Sequence, residues 1–356
     1  MQDVIPPRDW GRRLSDRIRE ALDAGDLASA RRLAVDGDGQ ARSLEKEFAL
    51  MYRGLGITVR VLLALLAETV GRAAATERPP AAGVLAALLA RFRREMTAII
   101  RRVVPAAEGI EESGAMEGGD LGGHVEATVR LLTDAEARFS EGQARLAAEV
   151  VRAIEAGDLE VARAGLDRKE TGQYVPLHDR LVRLMAEAMG FVLERFGPDQ
   201  LYRFHLATAE GQRRGFDAWE RLDAAAFART TAFLLKQHMG TVAVSEDGER
   251  FTIVQTPCGS GGRLRLSGVY GGPEALAFVE GPGPLTAGEA RMPVYCTHCP
   301  IWNGVAPLRW YGRPHWVLEE PSRPDGSCTL HIYKRRDGAA ATYARRLELG
   351  PAGAGD

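Results

Sequence analysis

The stretch MPVYCTHCPIWN, residues 292–303, contains two cysteines in a C-x-x-C pair with a histidine between them. The spacing of Cys296 and Cys299 lets two thiolates point at one centre from a tight turn, as zinc and iron sites require. A third cysteine, Cys258, lies upstream in a glycine-rich segment, where a backbone can bend around an ion. We therefore expect these cysteines to hold a metal ion in the C-terminal third of the chain.

The C-x-x-C pair also has two other interpretations. Thiol oxidoreductases use the same spacing for a redox dithiol, and buried cysteines without a ligand can share it by chance. A thioredoxin-like motif would accompany a βαβ unit, and no such pattern precedes Cys296. Metal binding is the preferred interpretation, with zinc as the ion.

Zinc takes four ligands, so a fourth must join the three cysteines. Cys328 shares a predicted strand face with Leu330 and Ile332, which is typical of an ordinary buried thiol. His238 ends an apolar helix just before Gly240, a position that helix-dipole interactions alone also favour. The predicted zinc ligands are His238, Cys258, Cys296 and Cys299, with Cys328 as the alternative to His238.

The composition restricts the class of protein. A chain of 356 residues with 45% hydrophobic and 26% charged residues is typical of a soluble protein with more than one domain. A net charge of -2 gives no support for a nucleic-acid or membrane partner. Four cysteines are too few for a disulfide scaffold. Residues 1–15 contain Asp, Arg and Pro and lack the apolar segment of a secretion signal. The apolar run 55–67 is shorter than a membrane span, so we expect a cytoplasmic protein.

The chain changes character at Gly240. Before it, long segments rich in Ala, Leu, Arg and Glu predict helices that pack on one another. After it, β-branched and aromatic residues, Gly and Pro predict strands at 241–244, 250–256, 263–266, 316–318 and 328–333. The predicted fold class is α+β, an all-helical N-terminal region followed by a small, mostly antiparallel α+β metal-binding domain. Its predicted parts are helical module 1 with a linker (1–124), helical module 2 (125–239) and the small domain (240–356).

The two helical modules resemble each other in sequence. The segment 22–31, LDAGDLASAR, matches the segment 154–163, IEAGDLEVAR. A duplication is one explanation, because helical repeats reuse such corners, and chance is the other, because Ala-Gly-Asp-Leu is a common helix-turn-helix corner. In a duplication, the second copy would carry His178 and Asp179 where the first carries Tyr52 and Arg53.

Several other residues are candidates for chemistry. His298, inside the C-x-x-C pair, could act as a general acid or base near the metal or be a solvent-facing turn residue. His178 and Asp179 begin an apolar helix, where they could relay protons or simply cap the helix. The segment 259–263, GSGGR, could hold a carboxylate or phosphate with its backbone N–H groups, Ser260 and Arg263, or be only a hairpin turn.

Aromatic residues follow the C-x-x-C pair and could form either the core of the small domain or the wall of a ligand pocket. Trp302 and Asn303 are therefore added to Ser260 and Arg263 as predicted substrate-binding residues.

The leading functional hypothesis is a zinc-dependent hydrolase or lyase that acts on a small anionic molecule at the junction between the helical and α+β domains. His298, His178 and Asp179 would be its catalytic residues. The alternative is a non-catalytic protein in which the zinc ion stabilises a small domain and the rest binds a ligand or partner. An open coordination position would favour the enzyme, and a closed set of four ligands would favour the alternative. The sequence leaves a homodimer open.

Overall fold

A computed structural model describes residues 5–73, 80–104, 120–319, 321 and 323–346. Most of the predicted linker, residues 105–119, and the C-terminal tail lie outside the described residues. The chain divides into two compact units: a helical unit of residues 12–184, and a C-terminal unit that combines residues 1–11 with residues 185–356. The predicted division at residues 124 and 239 stays a prediction, and the segment around Gly240 lies inside the C-terminal unit.

The helical unit consists of helices joined by short corners. They are α1 (Leu14–Asp23), α2 (Leu27–Asp36), α3 (Ala49–Ala73), α4 (Pro80–Val103), α5 (Leu121–Ala156), α6 (Leu159–Asp167) and the start of α7 (Val175–Gly211). A π-helix, Arg168–Tyr174, joins α6 to α7. The long helix α7 breaks at Gly197, which has φ 82° and precedes Pro198.

The two matching sequence segments form corners of the same geometry. Asp26 caps α2 by accepting a hydrogen bond from the Ser29 N–H at 2.9 Å, and Asp158 caps α6 through the Val161 N–H at 3.1 Å. The corners also exchange ion pairs, since Arg31 contacts Glu155 at 2.6 Å and Arg163 contacts Asp23 at 2.7 Å. Corresponding residues of the two corners thus pair reciprocally, and the duplication stays a prediction.

Helix α3 is the most apolar of the long helices. Among the described helices, it alone is long and apolar enough to cross a membrane, a property that core helices of soluble proteins share. Leu62, Leu63 and Leu66 are at most 1% exposed. Its Arg60 lies 3.4 Å from Glu136 of α5. Within this unit, α3 is therefore packed as a core helix against α5.

The C-terminal unit contains the remainder of α7 and the elements that follow it. Its further helices are α8 (Arg213–Glu220), α9 (Ala224–Lys236), α10 (Gly261–Leu266), α11 (His298–Pro300), α12 (Ala306–Tyr311) and α13 (Arg336–Arg346). Its strands are β1 (Val242–Glu246), β2 (Arg250–Gln255), β3 (Phe278–Glu280), β4 (Arg291–Pro293), β5 (Val317–Glu319) and β6 (Cys328–Tyr333). A π-helix, Ile301–Val305, connects α11 to α12.

The main sheet is antiparallel, with strand order β1-β2-β6-β5, and β3 pairs with β4 separately. In β2 the residues alternate between buried and partly exposed, so Phe251 and Ile253 face the core. They pair with Ile332 and Leu330 of β6. The buried residues of α9, including Phe227, belong to the same core. The predicted combination of helices with a small antiparallel sheet in the C-terminal part is confirmed.

One predicted strand is wrong. The segment 263–266 alternates Arg with Leu, which favoured a strand, but it lies in the short helix α10. Leu264 is 7% exposed, whereas Leu266 is 54% exposed. Four residues are too few to separate a period of two from a helical turn by pattern alone.

Candidate metal centre

The four cysteines come from three separate segments of the C-terminal unit. Cys258 lies in the turn between β2 and α10, and Cys328 is the first residue of β6. Cys296 lies in the 3-10 helix Val294–Thr297, and Cys299 lies one helical turn later, in α11. All four belong to the described residues, and none forms a disulfide.

The pairing of β2 with β6 brings Cys258 and Cys328 together. Gln255 is the register partner of Cys328, and its Nε2 donates to the Cys328 Sγ at 3.2 Å. The Cys258 N–H donates to the Gly326 carbonyl oxygen at 2.9 Å. The two thiols are close enough to interact, and each shifts the pKa of the other. Antiparallel pairing therefore decides which cysteine joins Cys258.

The glycines after Cys258 let the C-x-x-C segment approach. A Cβ atom on Gly261 would lie 2.9 Å from the Cys296 Sγ and 3.3 Å from the Tyr295 ring. A Cβ atom on Gly262 would lie 3.1 Å from that of Cys258. Close packing alone therefore requires glycine here. Anion binding by this turn stays a prediction.

The thiols perturb one another's protonation. The hydrogen bond from Cys328 and the N–H groups of Gly262 and Ser260 lower the pKa of Cys258, against the opposing effect of burial. Burial raises the pKa of Cys299 to about 12, and the charges of Cys258 and Cys296 add to that rise. The four sulfur atoms thus share one electrostatic environment, in which ionisation of one thiol opposes ionisation of the others.

Arg265 is a functional candidate that the sequence did not reveal. Its Nη1 donates to the Cys296 Sγ at 3.1 Å, and its Nη2 lies 3.4 Å from the carbonyl oxygens of Arg323 and Ser327. These contacts stabilise a thiolate at Cys296. No sequence motif distinguishes Arg265 from the other surface arginines, because its partner lies 31 residues away.

The arginine that was predicted to bind an anion has other contacts. Arg263 donates from Nη1 to the carbonyl oxygens of His238 and Met239, at 2.8 and 3.2 Å. Arg263 therefore holds the C-terminal end of α9 against the cysteine turn. Gly259 lies against the His238 carbonyl group, because a Cβ atom on Gly259 would be 2.3 Å from that oxygen. The main chain of His238 is thus packed on the cysteine turn.

His298 lies half-buried between aromatic rings. Its ring centroid is 4.7 Å from those of both Tyr295 and Trp302, and its Nδ1 is hydrogen-bonded to the Tyr295 carbonyl oxygen. Burial lowers the pKa of His298, while the charge of Cys258 acts in the opposite direction. His298 is therefore close to the thiols, and its ring is oriented by the helical turn that carries it.

The remaining predicted residues are placed in two groups. The Ser260 Oγ lies 3.6 Å from the Cys258 Sγ, and Asn303 Nδ2 donates to the Cys299 carbonyl oxygen at 3.5 Å, so both adjoin the cysteines. His178 and Asp179 belong to the helical unit. There His178 is fully buried, and its Nδ1 lies 2.7 Å from the Asp179 Oδ1. This pair therefore belongs to the helical unit, whereas the four cysteines belong to the C-terminal unit.

The fit of this cluster to a metal depends on its donor chemistry. As the side chains stand, no group of three or more His, Cys, Asp or Glu residues in the described ranges is arranged to hold a metal ion. Four sulfur donors, from the adjoining ends of two paired strands and from one helical turn, are nevertheless the donor set that Zn²⁺ prefers in structural sites. The residue types fit zinc, and binding would require the thiol side chains to reorient.

Comparisons of the chain with models of known protein families, with curated proteins and with solved structures found no match.

Proposed function

We propose that Cys258, Cys296, Cys299 and Cys328 bind one Zn²⁺ ion that stabilises the C-terminal unit, and that the protein is a binding protein. The observation that carries the proposal is the position of Cys328. The pairing of β2 with β6 brings its thiol close enough to Cys258 for the two to interact, and the charges of Cys299 and Cys296 also act on it. With Cys328 as the fourth ligand in place of His238, the set consists of four thiolates. Such sets are usually closed and structural.

The surrounding residues support a thiolate set. A zinc ion with four thiolates carries a net charge of -2, which donors around the sulfur atoms must offset. Arg265 donates to Cys296, and the N–H groups of Ser260 and Gly262 interact with Cys258. When bound, zinc would supply the positive charge that lets all four thiols ionise in a buried site.

A comparison of two variants tests this ligand set. We expect wild-type protein to carry about one zinc per chain, Cys328→Ser to lose it and His238→Gln to retain it, as measured by elemental analysis. His238 is the residue that would be the fourth ligand if Cys328 were not, so His238→Gln is the control for Cys328→Ser. Loss of zinc from His238→Gln, or retention of zinc after each cysteine is replaced in turn, would contradict the proposal.

The zinc-dependent enzyme is the second candidate, and His298 favours it. This imidazole lies inside the C-x-x-C segment and is close enough to Cys258 for their charges to interact. A hydrolase or lyase acting on an anionic molecule would need a coordination position that water or substrate can occupy. The absorption spectrum of the Co²⁺-substituted protein should remain unchanged on adding azide if the site is closed. A spectral shift would favour the enzyme.

A further inference from the structure

A second site surrounds His315, in the segment between α12 and β5. Five aromatic rings lie around its imidazole, with centroid distances between 5.2 Å for Phe216 and 6.4 Å for Trp316. The ring of Tyr311 is nearly parallel to it, with an interplanar angle of 21°. The other two rings belong to Trp219 and Phe227. No sequence pattern indicated this arrangement.

His315 is buried without a hydrogen-bonding partner on its ring. Its side chain is 6% exposed, and neither Nδ1 nor Nε2 has a partner in the described part of the chain. Its backbone N–H donates to the Asn303 carbonyl oxygen at 2.8 Å. A buried polar group without a partner costs free energy, so its persistence calls for an explanation.

His315 lines a pocket of about 310 Å³. This volume is at the lower end of the range for sites that bind small molecules, which are largely apolar with a few polar groups. Trp219, Phe227 and Tyr333 form part of its wall, and Ala224 at the start of α9 forms another part. The pocket can therefore enclose a ring system of one or two fused rings.

The charged groups around the pocket already have partners. Arg313 is paired with Glu220. Asp223 caps α9 by accepting from the Ala226 N–H at 2.7 Å, and Lys334 donates to Glu246 at 2.7 Å. A charged ligand would have to compete with these contacts. An aromatic cage can also bind a cation, but the carboxylates of Glu220 and Asp223 on this wall are balanced by Arg313 and Lys334, so the wall carries no net negative charge to attract one.

We propose that this pocket binds a small, neutral, planar aromatic or heteroaromatic molecule, and that the His315 ring, whose nitrogens are buried, turns to pair one of them with the hydrogen-bonding group of the ligand. Burial, with a smaller effect from Arg313, lowers the pKa of His315 to about 3. The imidazole is therefore neutral and offers one donor and one acceptor. The inference rests on the proposed binding function and names its ligand class, but it uses none of the four thiols.

Indole and indene are suitable probes, because they have nearly the same shape and only indole has an N–H group. Saturation-transfer NMR and calorimetry on the full chain should show indole binding with a Kd on the order of 1 mM or tighter, as a ligand of this size can reach. His315→Phe should weaken indole binding by about three- to tenfold, the value of one neutral hydrogen bond, and change indene binding little.

Two variants of neighbouring alanines test the location. Ala224→Trp should fill the pocket and abolish indole binding, whereas Ala225→Trp, on the exposed side of α9, should leave it unchanged. Thermal unfolding of each variant would establish that it is folded. The inference is overturned if indole fails to bind, if Ala224→Trp and His315→Phe both bind it like wild type, or if tetramethylammonium binds more tightly than indole.

Zinc content measured on the same preparations separates this inference from the metal proposal. Indole binding without zinc would overturn only the zinc site, and zinc without indole binding would overturn only the pocket inference.

Discussion

Lys169 lies with its Nζ 3.4 Å from the Glu47 Oε2, and both side chains are buried, at 0% and 3% exposure. Lys169 belongs to the π-helix before α7, and its ammonium group also lies 4.3 Å from the centroid of the Phe48 ring. Burial raises the pKa of Glu47 and lowers that of Lys169, while the attraction between the two charges opposes both shifts. The helical unit therefore contains an ion pair whose members depend on each other.

Replacing Lys169 with Met should destabilise the protein strongly. The substitution would leave Glu47 in a buried site without its cation, which typically costs about 3–5 kcal/mol. Adding Glu47→Gln should recover part of that loss, since the amide needs no counter-charge. The free energy of unfolding from urea titrations measures both effects.

The exposed pair of Arg31 with Glu155 provides the control for the buried one. These side chains are 54% and 44% exposed, so Arg31→Ala should cost less than about 1 kcal/mol. If Lys169→Met proves as mild as Arg31→Ala, the buried pair is not a significant source of stability.

Removing zinc should lower the stability of the C-terminal unit. A ligand that binds only the folded state stabilises it by about 2.7 kcal/mol at a concentration 100 times its Kd. Treatment with a strong chelator should therefore lower the temperature of thermal unfolding, and added Zn²⁺ should restore it. An unfolding curve unaffected by chelator in zinc-loaded protein would contradict a stabilising role.

Arg265 should strengthen the binding of zinc. Because its guanidinium donates to the Cys296 sulfur, Arg265→Ala should weaken zinc binding by about 10- to 100-fold, as losses of similar supporting contacts do. Competition with a chromophoric chelator gives the affinity. Arg263→Ala is the control within the same helix, because Arg263 contacts backbone carbonyl groups at the end of α9. Equal losses in the two variants would indicate a general disturbance of α10.

The stability of the protein should depend on pH through His315. Its pKa is lowered from 6.5 to about 3 in the folded state, so the folded state disfavours the protonated ring. The contribution of the neutral His315 ring to the free energy of unfolding is complete above pH 6.5, the pKa of the unfolded state. It is lost as the pH falls toward the folded-state pKa of about 3.

Wild type should therefore lose about 1.4 kcal/mol per pH unit relative to His315→Phe, between roughly pH 6 and pH 4. Urea titrations across this range measure the free energy of unfolding of both proteins. Loss of zinc at low pH affects both proteins equally, so it cancels in the difference between them. Parallel profiles would show that His315 titrates normally.

Local signals accounted for most of the elements. Asp26 and Asp158 mark helix starts because an aspartate before a helix satisfies an N–H group of the first turn, whatever surrounds it. Gly197 followed by Pro198 breaks α7 for an equally local reason. Local signals were insufficient for the segment 263–266, where contact with the cysteine turn, and not the alternation of side chains, favours a helix.

The C-x-x-C spacing and the glycine-rich turn are local properties of the chain, so the amino-acid sequence alone indicates a thiol site in the C-terminal third. The groups that accompany the thiols depend on the tertiary structure. Cys328 reaches Cys258 through the pairing of β2 with β6, and Arg265 reaches Cys296 through the packing of α10. The pocket around His315 and the pair of Lys169 with Glu47 likewise depend on contacts between distant segments. Such contacts have no local pattern, since the energy that selects them is that of burying one segment against another.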